Sequence, residues 1–178
     1  IIVTVPEGEL LPEDVLPHED ARFGIVPQGV DLAVLFFEQP LLRAQDPTSG
    51  TSLDLVQDMH PQRILDVCAG RGTKTKQLRG LFPNAMIAAT EPNDVRRAFL
   101  DEIATDLGIT VYAPGLDGPN EPFDLVVVDA PCSNSGVFSR RPEARYRYDK
   151  KHIDSLVELQ QEILQDARSV MQSKGHLL

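Results

Sequence analysis

With 178 residues, of which 42% are hydrophobic, the chain has the size and apolar content of one domain with a core. Its formal net charge of −10 excludes a uniformly basic nucleic-acid-binding surface. No apolar run is long enough for a membrane span, and 2 Cys without a Cys/His cluster argue against disulfides and zinc. We therefore expect a cytoplasmic protein with no membrane partner and no bound metal.

The start of the chain differs in composition from the rest. Residues 1–40 are acidic and rich in Pro, which predicts an irregular or lightly structured lead-in, above all over residues 1–30. Residues 32–37 fit either a buried strand or a short helix, since periodicity does not distinguish them. Ser49 or Thr51 is suited to cap a helix. We expect the main domain to begin near residue 41.

Strand and helix patterns alternate along the main domain. The predicted elements are strand 63–67, helix 74–82, strand 85–90, helix 92–107, strand 109–112, strand 124–129 and helix 149–173. Pro92 suits the first turn of its helix, Gly108 suits a helix end, and a further strand is expected near His176. This order predicts an α/β fold with a doubly wound parallel sheet, whose ligands bind at the carboxyl ends of the strands.

A turn rich in small residues follows the first of these strands. Residues 66–75 read Asp-Val-Cys-Ala-Gly-Arg-Gly-Thr-Lys-Thr. Glycines let a ligand approach the backbone, and the helix start offers free N–H groups. The spacing excludes a P-loop, and Thr75 stands where a dinucleotide fingerprint has its third glycine. A plain strand-to-helix turn and a nucleoside site both fit.

An acidic residue ends the next strand. Glu91 lies 19 positions after Gly72, where an acid commonly accepts hydrogen bonds from ribose hydroxyls. The alternative is a solvated acid stabilised by the helix dipole. Together with the glycine turn, Glu91 favours a cofactor that contains adenosine.

A carboxylate and a thiol follow the apolar run at 124–129. Asp129 and Cys132 lie in a turn at the carboxyl end of that strand, where packing does not require either group. A free cysteine is most often a small buried hydrophobe, but the neighbouring acid favours a functional role for Cys132. Cys68, which directly follows a strand, is interpreted as structural.

A basic and aromatic segment follows this turn. Arg140, Arg141 and Arg145 can contact phosphates, and Tyr146 offers a stacking face for an unpaired base. A solvated loop before the long helix is the alternative. The basic segment lies directly after the Cys132 turn, and this position favours contact with a nucleic-acid substrate.

The motifs resemble those of the Sun/RsmB-type (NOL/NOP/Sun) RNA cytosine-5 methyltransferases. Residues 66–75 are similar to the family's Asp-x-Cys-Ala-Ala-Pro-Gly-Gly-Lys-Thr motif, and residues 129–133 match its Asp-Ala-Pro-Cys-Ser motif without change. The resemblance extends over roughly residues 40–178. Further residues fall where the family has related ones: Gln45, Asp46, Glu91, Arg96, Arg141, Pro142 and Glu143.

The resemblance implies a class I (Rossmann-like) fold, S-adenosylmethionine as cofactor and RNA as partner. It implies that the methionine end of the cofactor lies among Cys68, Ala69, Gly70, Gly72 and Lys74. Glu91 with Arg96 would hold the ribose, and Asp117 would lie near the adenine. Asp129 would bridge cofactor and base, and Cys132 would assist product release.

The family mechanism implies a second cysteine. A thiolate adds to carbon 6 of cytosine, carbon 5 takes the methyl group, and loss of the carbon 5 proton expels the thiolate. In the family this nucleophile lies in a Thr-Cys motif after the next strand, and the sequence stops at Leu178. We therefore expect a fragment truncated before the last strands. Alternatively, Cys132 itself attacks, as in DNA cytosine-5 methyltransferases.

Three positions depart from the family pattern. Arg71 replaces Pro, Gly70 replaces Ala, and Glu91 is one methylene longer than the usual Asp. Arg71 would either pair with the carboxylate of the cofactor or obstruct it.

The sequence favours an rRNA or tRNA methyltransferase over other classes. Methyltransferases of amino groups have no use for a thiol at this turn, and the glycine pattern excludes a nicotinamide-dependent oxidoreductase. A non-catalytic RNA-binding or scaffold protein that keeps the fold is the main alternative, since the net charge is acidic.

Overall fold

A computed structural model of the chain describes residues 1–5, 10–39, 42–45, 47–113, 121–137, 146 and 149–178. Contacts divide the chain into two compact units, Ile1–Met59 and His60–Leu178. The sequence placed a domain boundary near residue 40 instead, and that assignment stays a prediction.

The first unit combines short antiparallel strands with short helices. Its elements are β1 Ile2–Thr4, β2 Leu16–Pro17, β3 Phe23–Ile25, α1 Leu32–Glu38, β4 Arg43–Ala44, α2 Pro47–Thr51 and a 3₁₀ helix Ser52–Val56. The strands pair in the order β2-β3-β1-β4. Aliphatic side chains form the core of this unit: Val3, Val5, Val15, Val26, Leu35 and Leu42.

The lead-in over residues 1–30, predicted to be irregular or lightly structured, contains short strands. β1 and β3 pair there as antiparallel strands, with Val3 opposite Gly24. Strands of two or three residues are too short to show the alternation by which a sequence reveals a strand.

The helices of this unit show that residues 32–37 are not a strand and that the next helix begins earlier than predicted. Residues 32–37 are helical, because the Asp31 carboxylate accepts the N–H groups of Ala33 and Val34 and so caps α1. The helix expected after Ser49 or Thr51 already begins at Pro47 and continues as the 3₁₀ helix.

The second unit is a parallel sheet with intervening helices. Its elements are β5 Arg63–Val67, α3 Thr73–Leu81, β6 Met86–Thr90, α4 Asp94–Leu107, β7 Ile109–Tyr112, β8 Phe123–Val128, a 3₁₀ helix Ser135–Val137, α5 Lys150–Ser169 and β9 Met171–Leu177. The strands lie in the order β7-β6-β5-β8-β9, and each neighbouring pair is parallel. The predicted α/β fold is confirmed.

The direction in which strands are added to the sheet reverses at β5. The chain builds the sheet outward from β5 to β7 and then returns to add β8 on the other side of β5. Open α/β sheets bind ligands at such a reversal, outside the carboxyl ends of the strands. The strands next to this reversal, β5, β6 and β8, are continuous apolar runs, and Ile64, Ile87 and Leu125 are among their fully buried side chains.

Two helix boundaries differ from the prediction. Asn93 caps α4 by accepting the N–H of Arg96, so the helix begins after Pro92, which is not in its first turn. Gly108, with φ +59°, ends this helix as predicted.

The end of α5 also differs from the prediction. The helix predicted to residue 173 ends at Ser169, and the strand expected near His176 already begins at Met171. Backbone pairing explains this, because Val170 accepts the N–H of Phe123 and its neighbours join the edge of the sheet. The apolar residues Val170 and Met171 suit a helix and a strand equally, so periodicity missed the change.

Candidate functional site

The turn after β5 has a strongly curved backbone. Cys68, Gly70 and Gly72 have φ values of 60°, 63° and 83°. Left-handed backbone is costly for a residue with a side chain, so Cys68 is held there by its surroundings. A hydrogen bond from Ala69 N to Thr90 O, 2.9 Å long, attaches the turn to the end of β6.

The two glycines of this turn have different roles. A Cβ at Gly72 would lie 2.7 Å from Ile103 Cδ1 and 2.9 Å from Leu100 Cδ1, so α4 packs directly against the backbone. A Cβ at Gly70 would meet nothing within 4 Å. Gly72 therefore permits close packing, whereas Gly70 leaves open space beside the turn.

Glu91 ties the turn to the start of α4. Its side chain is only 1% exposed, and its Oε2 accepts the N–H of Gly70 at 2.8 Å. Its Oε1 accepts the N–H of Asn93 at 2.8 Å and lies 3.1 Å from Nη2 of Arg96. A carboxylate has about four acceptor positions, so these three partners leave roughly one for a ligand.

Asp66 is a buried carboxyl group beneath the same turn. It is fully buried, and Thr75 Oγ1 donates to its Oδ2 at 2.6 Å. Its Oδ1 has no hydrogen-bond partner among the described residues. Burial is the main cause that raises the pKa of Asp66 to about 7, and the charges of Asp129 and Glu91 act in the same direction. The sequence predicted no separate role for Asp66, although it opens the motif.

Lys74 connects the two motif turns. Its Nζ lies 2.8 Å from Oδ2 of Asp129, in the turn after β8. The Lys74 side chain is 13% exposed and that of Asp129 is 58% exposed. The backbone N–H of Asp129 also donates to Val67 O at 3.2 Å. Two residues that the sequence selected separately therefore lie together.

Cys132 lies exposed in the turn that follows Asp129. Asn134 has a φ of 56°, and its Nδ2 donates to Cys132 O at 3.4 Å. From α5, Gln160 Nε2 donates to Pro131 O at 2.7 Å. Sequence reasoning missed Gln160, because one polar residue in a polar helix carries no signal by itself.

Cys68 has a different environment. It is a half-buried free thiol, and burial, followed by the charges of Glu91 and Asp66, raises its pKa to about 11. A thiol with this pKa remains protonated near neutral pH and is a poor nucleophile.

Arg71 is directed towards α4. Its guanidinium carbon lies 4.3 Å from the centre of the Phe99 ring, within the range of a cation–π contact. Phe99 remains 39% exposed. The structure thus gives Arg71 a protein partner that the sequence did not anticipate.

Several predicted residues lie outside the described part of the chain: Asp46, Asp117, Arg140, Arg141 and Arg145. Tyr146 is described and is 93% exposed. Gln45 is buried and accepts a 2.7 Å hydrogen bond from Thr4 Oγ1.

Two further features are absent from the described residues. They contain no group of three or more His, Cys, Asp and Glu arranged to hold a metal ion. Nor do they include a helix with the length and apolar character needed to cross a membrane.

Solved structures share this architecture, which is the class I S-adenosylmethionine-dependent methyltransferase fold. The protein PH0851 matches with a TM-score of 0.79 at 24% identity, over 99% of this chain and 45% of its own. NSun6 from Pyrococcus horikoshii, solved with SFG, matches with a TM-score of 0.65 at 23% identity, over 88% of this chain and 41% of its own.

Sequence comparison defines the family. A family model described as 16S rRNA methyltransferase RsmB/F matches residues 52–178, and the chain belongs to this family. The ribosomal RNA small subunit methyltransferase B of Enterobacter sp. (strain 638) is 30% identical over 135 residues, which is 72% of this chain and 32% of that protein. The protein of that name from Escherichia coli O6:K15:H31 is 29% identical over 149 residues, 80% of this chain and 35% of its own. The chain thus spans about a third of these relatives.

Proposed function

We propose that this chain carries the cofactor site and part of the catalytic site of an S-adenosylmethionine-dependent RNA cytosine-5 methyltransferase. The Lys74–Asp129 ion pair is the observation that carries the proposal, because it joins the two motif turns at the carboxyl ends of β5 and β8. Cys132 is exposed three residues further on. Relatives named for the RNA of the small ribosomal subunit favour rRNA over tRNA as the substrate.

The turn after β5 fits the methionine end of S-adenosylmethionine. The space beside Gly70 is open, and Gly72 is the N-cap of α3, so the positive end of the helix dipole lies at this turn and favours a carboxylate. Asp66 and Glu91 add acceptors near the same turn. The proposed binding residues are Cys68, Ala69, Gly70, Gly72, Lys74, Glu91, Arg96, Asp117 and Asp129.

Each catalytic group of this chain has a distinct proposed task. When bound, S-adenosylmethionine supplies an electrophilic methyl group. Lys74 orients the carboxylate of Asp129, which holds the target cytosine by its polar edge. A cysteine thiolate bonds to carbon 6 of that base, and the displaced electron pair makes carbon 5 nucleophilic. After carbon 5 is methylated, it loses its proton, and the bond from carbon 6 to sulfur breaks to release the thiolate.

Cys132 is proposed to assist this release. Its exposure in the turn next to Asp129 suits a thiol that meets a substrate. Cys68 does not suit the attacking role, since it is half-buried and its pKa is raised to about 11. The target base must leave its stack to reach the turn. Arg140, Arg141, Arg145 and Tyr146 are proposed to contact the surrounding RNA.

A methyl-transfer assay tests the proposal. The full-length protein is incubated with small-subunit rRNA and labelled S-adenosylmethionine, and 5-methylcytidine is quantified after nuclease digestion. We expect label in this nucleoside and its loss in Asp129→Asn. In Cys132→Ser, a covalent protein–RNA complex on a denaturing gel supports the release role, whereas loss of both product and complex supports attack by Cys132. Binding of rRNA by a folded protein without any methyl transfer would contradict the enzyme and favour a scaffold.

A further inference from the structure

Within the described part of the chain, one side chain from outside donates to the turn that carries Cys132, and it belongs to α5. Gln160 Nε2 donates to Pro131 O at 2.7 Å, across 29 positions of sequence. The other side-chain hydrogen bonds described for residues 130–137 stay within the turn. They run from Asn134 to the Cys132 carbonyl and between Ser133 and Ser135.

This hydrogen bond acts on the peptide group that precedes Cys132. The carbonyl of Pro131 and the N–H of Cys132 belong to one planar unit, so a partner that holds the oxygen also sets the direction of the Cys132 backbone. Proline has no N–H group, and its carbonyl is therefore the only backbone hydrogen-bonding group by which Pro131 can be held. An amide that donates from a helix supplies a rigid partner.

The surroundings of Gln160 favour a role in the turn over one in the core. Ala167 is the one fully buried residue of α5, so Gln160 is not part of the buried core. Gln160 is half-buried, whereas the next residue, Gln161, is exposed. A half-buried amide can bond either to protein or to water, and the Gln160 amide donates to the protein acceptor Pro131 O.

We propose that Gln160 is a positioning residue that fixes the orientation of Cys132. The significance of this orientation for methyl transfer rests on the proposed function, but the orientation itself does not. Gln160 acts only through the Pro131–Cys132 peptide group and does not touch the substrate.

Two readouts separate the positioning role from the enzymatic one. Gln160→Met keeps the length of the side chain and removes the donor, and Gln161→Met is the matched control on the same helix. A nitroxide attached to Cys132 reports the mobility of the turn by electron paramagnetic resonance. Cys132 is exposed whereas Cys68 is half-buried, and peptide mapping identifies Cys132 as the labelled residue. We expect narrower lines in Gln160→Met than in either the unsubstituted protein or Gln161→Met.

Kinetics with the unlabelled protein provide the second readout. We expect kcat of Gln160→Met to fall about tenfold while the Kd for S-adenosylmethionine stays within twofold. In Gln160→Glu, a charged carboxylate repels the carbonyl, but a protonated one donates to it. The nitroxide lines of Gln160→Glu should therefore broaden as the pH falls from 7 to 4, since a glutamate carboxyl has a pKa of about 4.3.

The outcomes distinguish the two proposals. Equal line widths in Gln160→Met and Gln161→Met would overturn the positioning role. Narrowed lines in a protein that transfers no methyl group would retain the positioning role and contradict the proposed enzyme. Equal nitroxide line widths at pH 4 and pH 7 in Gln160→Glu would also overturn the positioning role, since a general loss of structure does not depend on protonation of one side chain.

Discussion

The ammonium group of Lys74 lies 2.8 Å from the carboxylate of Asp129, although the two residues are 55 positions apart in the sequence. Lys74 is largely buried, and an ammonium group in such a place requires a partner. The contact joins the turns after two neighbouring parallel strands, β5 and β8. The two motifs thus form one site.

Removing the Lys74 ammonium should weaken both cofactor binding and methyl transfer. Lys74→Met leaves Asp129 without its cation, and we expect a loss of about tenfold to a hundredfold in kcat/KM. Lys76→Met, in the same helix, is the matched control and should stay within twofold. Effects of Lys74→Met and Asp129→Asn that simply add in a double-mutant cycle would show that the two side chains act independently.

The buried Asp66 should make stability fall as pH rises. Its pKa is raised from the ordinary value of 3.8 to about 7 in the folded protein, so folding takes up a proton between these values. Each pH unit in this window lowers the unfolding free energy by about 1.4 kcal/mol at most. Urea unfolding of Asp66→Asn from pH 4 to pH 7 should show a flatter profile than the unsubstituted protein. Asp101→Asn, at an exposed position of α4, should keep the original slope.

The glycine turn should tolerate substitution unequally. Gly72→Ala places a Cβ within 3 Å of Leu100 and Ile103 at a φ of +83°, and we expect a loss of about 2 to 4 kcal/mol in unfolding free energy. Gly80→Ala, in α3 with open space around it, should stabilise the protein by roughly 0.5 to 1 kcal/mol. Thermal unfolding measures both. Similar unfolding temperatures for the two variants would contradict the close approach of α4.

Arg79 should be a major source of stability for the second unit. Its guanidinium donates to five backbone carbonyls where α3 and α4 end, those of Phe82, Pro83, Ala85, Leu107 and Gly108. Arg79→Met leaves these carbonyls without that donor and should cost about 2 to 4 kcal/mol. Arg79→Lys should not restore the loss, because an ammonium lacks the planar fork. Recovery in Arg79→Lys would show that charge alone is sufficient.

Much of the second unit could be predicted from the sequence. Its strands are apolar runs next to turns, and Gly108 marks a helix end. The end of α5 could not be predicted, because Val170 suits a helix and a strand and pairing with Phe123 decides between them. The strands of the first unit are too short for their periodicity to be detected.

The members of the site were more predictable than their contacts. Cys132, Asp129 and Lys74 follow from motifs, yet the ion pair depends on the register of β5 and β8. Gln160 and Asp66 could not be assigned roles, because a hydrogen bond across 29 residues and the burial of a carboxyl group are properties of the folded chain.

Calorimetric titration with S-adenosylmethionine tests the central claim most directly. We expect micromolar binding to the protein and its loss in the Asp129→Ala/Glu91→Ala double variant, with circular dichroism to confirm that both are folded. Lys76→Met serves as the control that retains binding. A folded protein that does not bind S-adenosylmethionine, or that binds it equally in the double variant, would contradict the cofactor site placed at the ends of β5, β6 and β8.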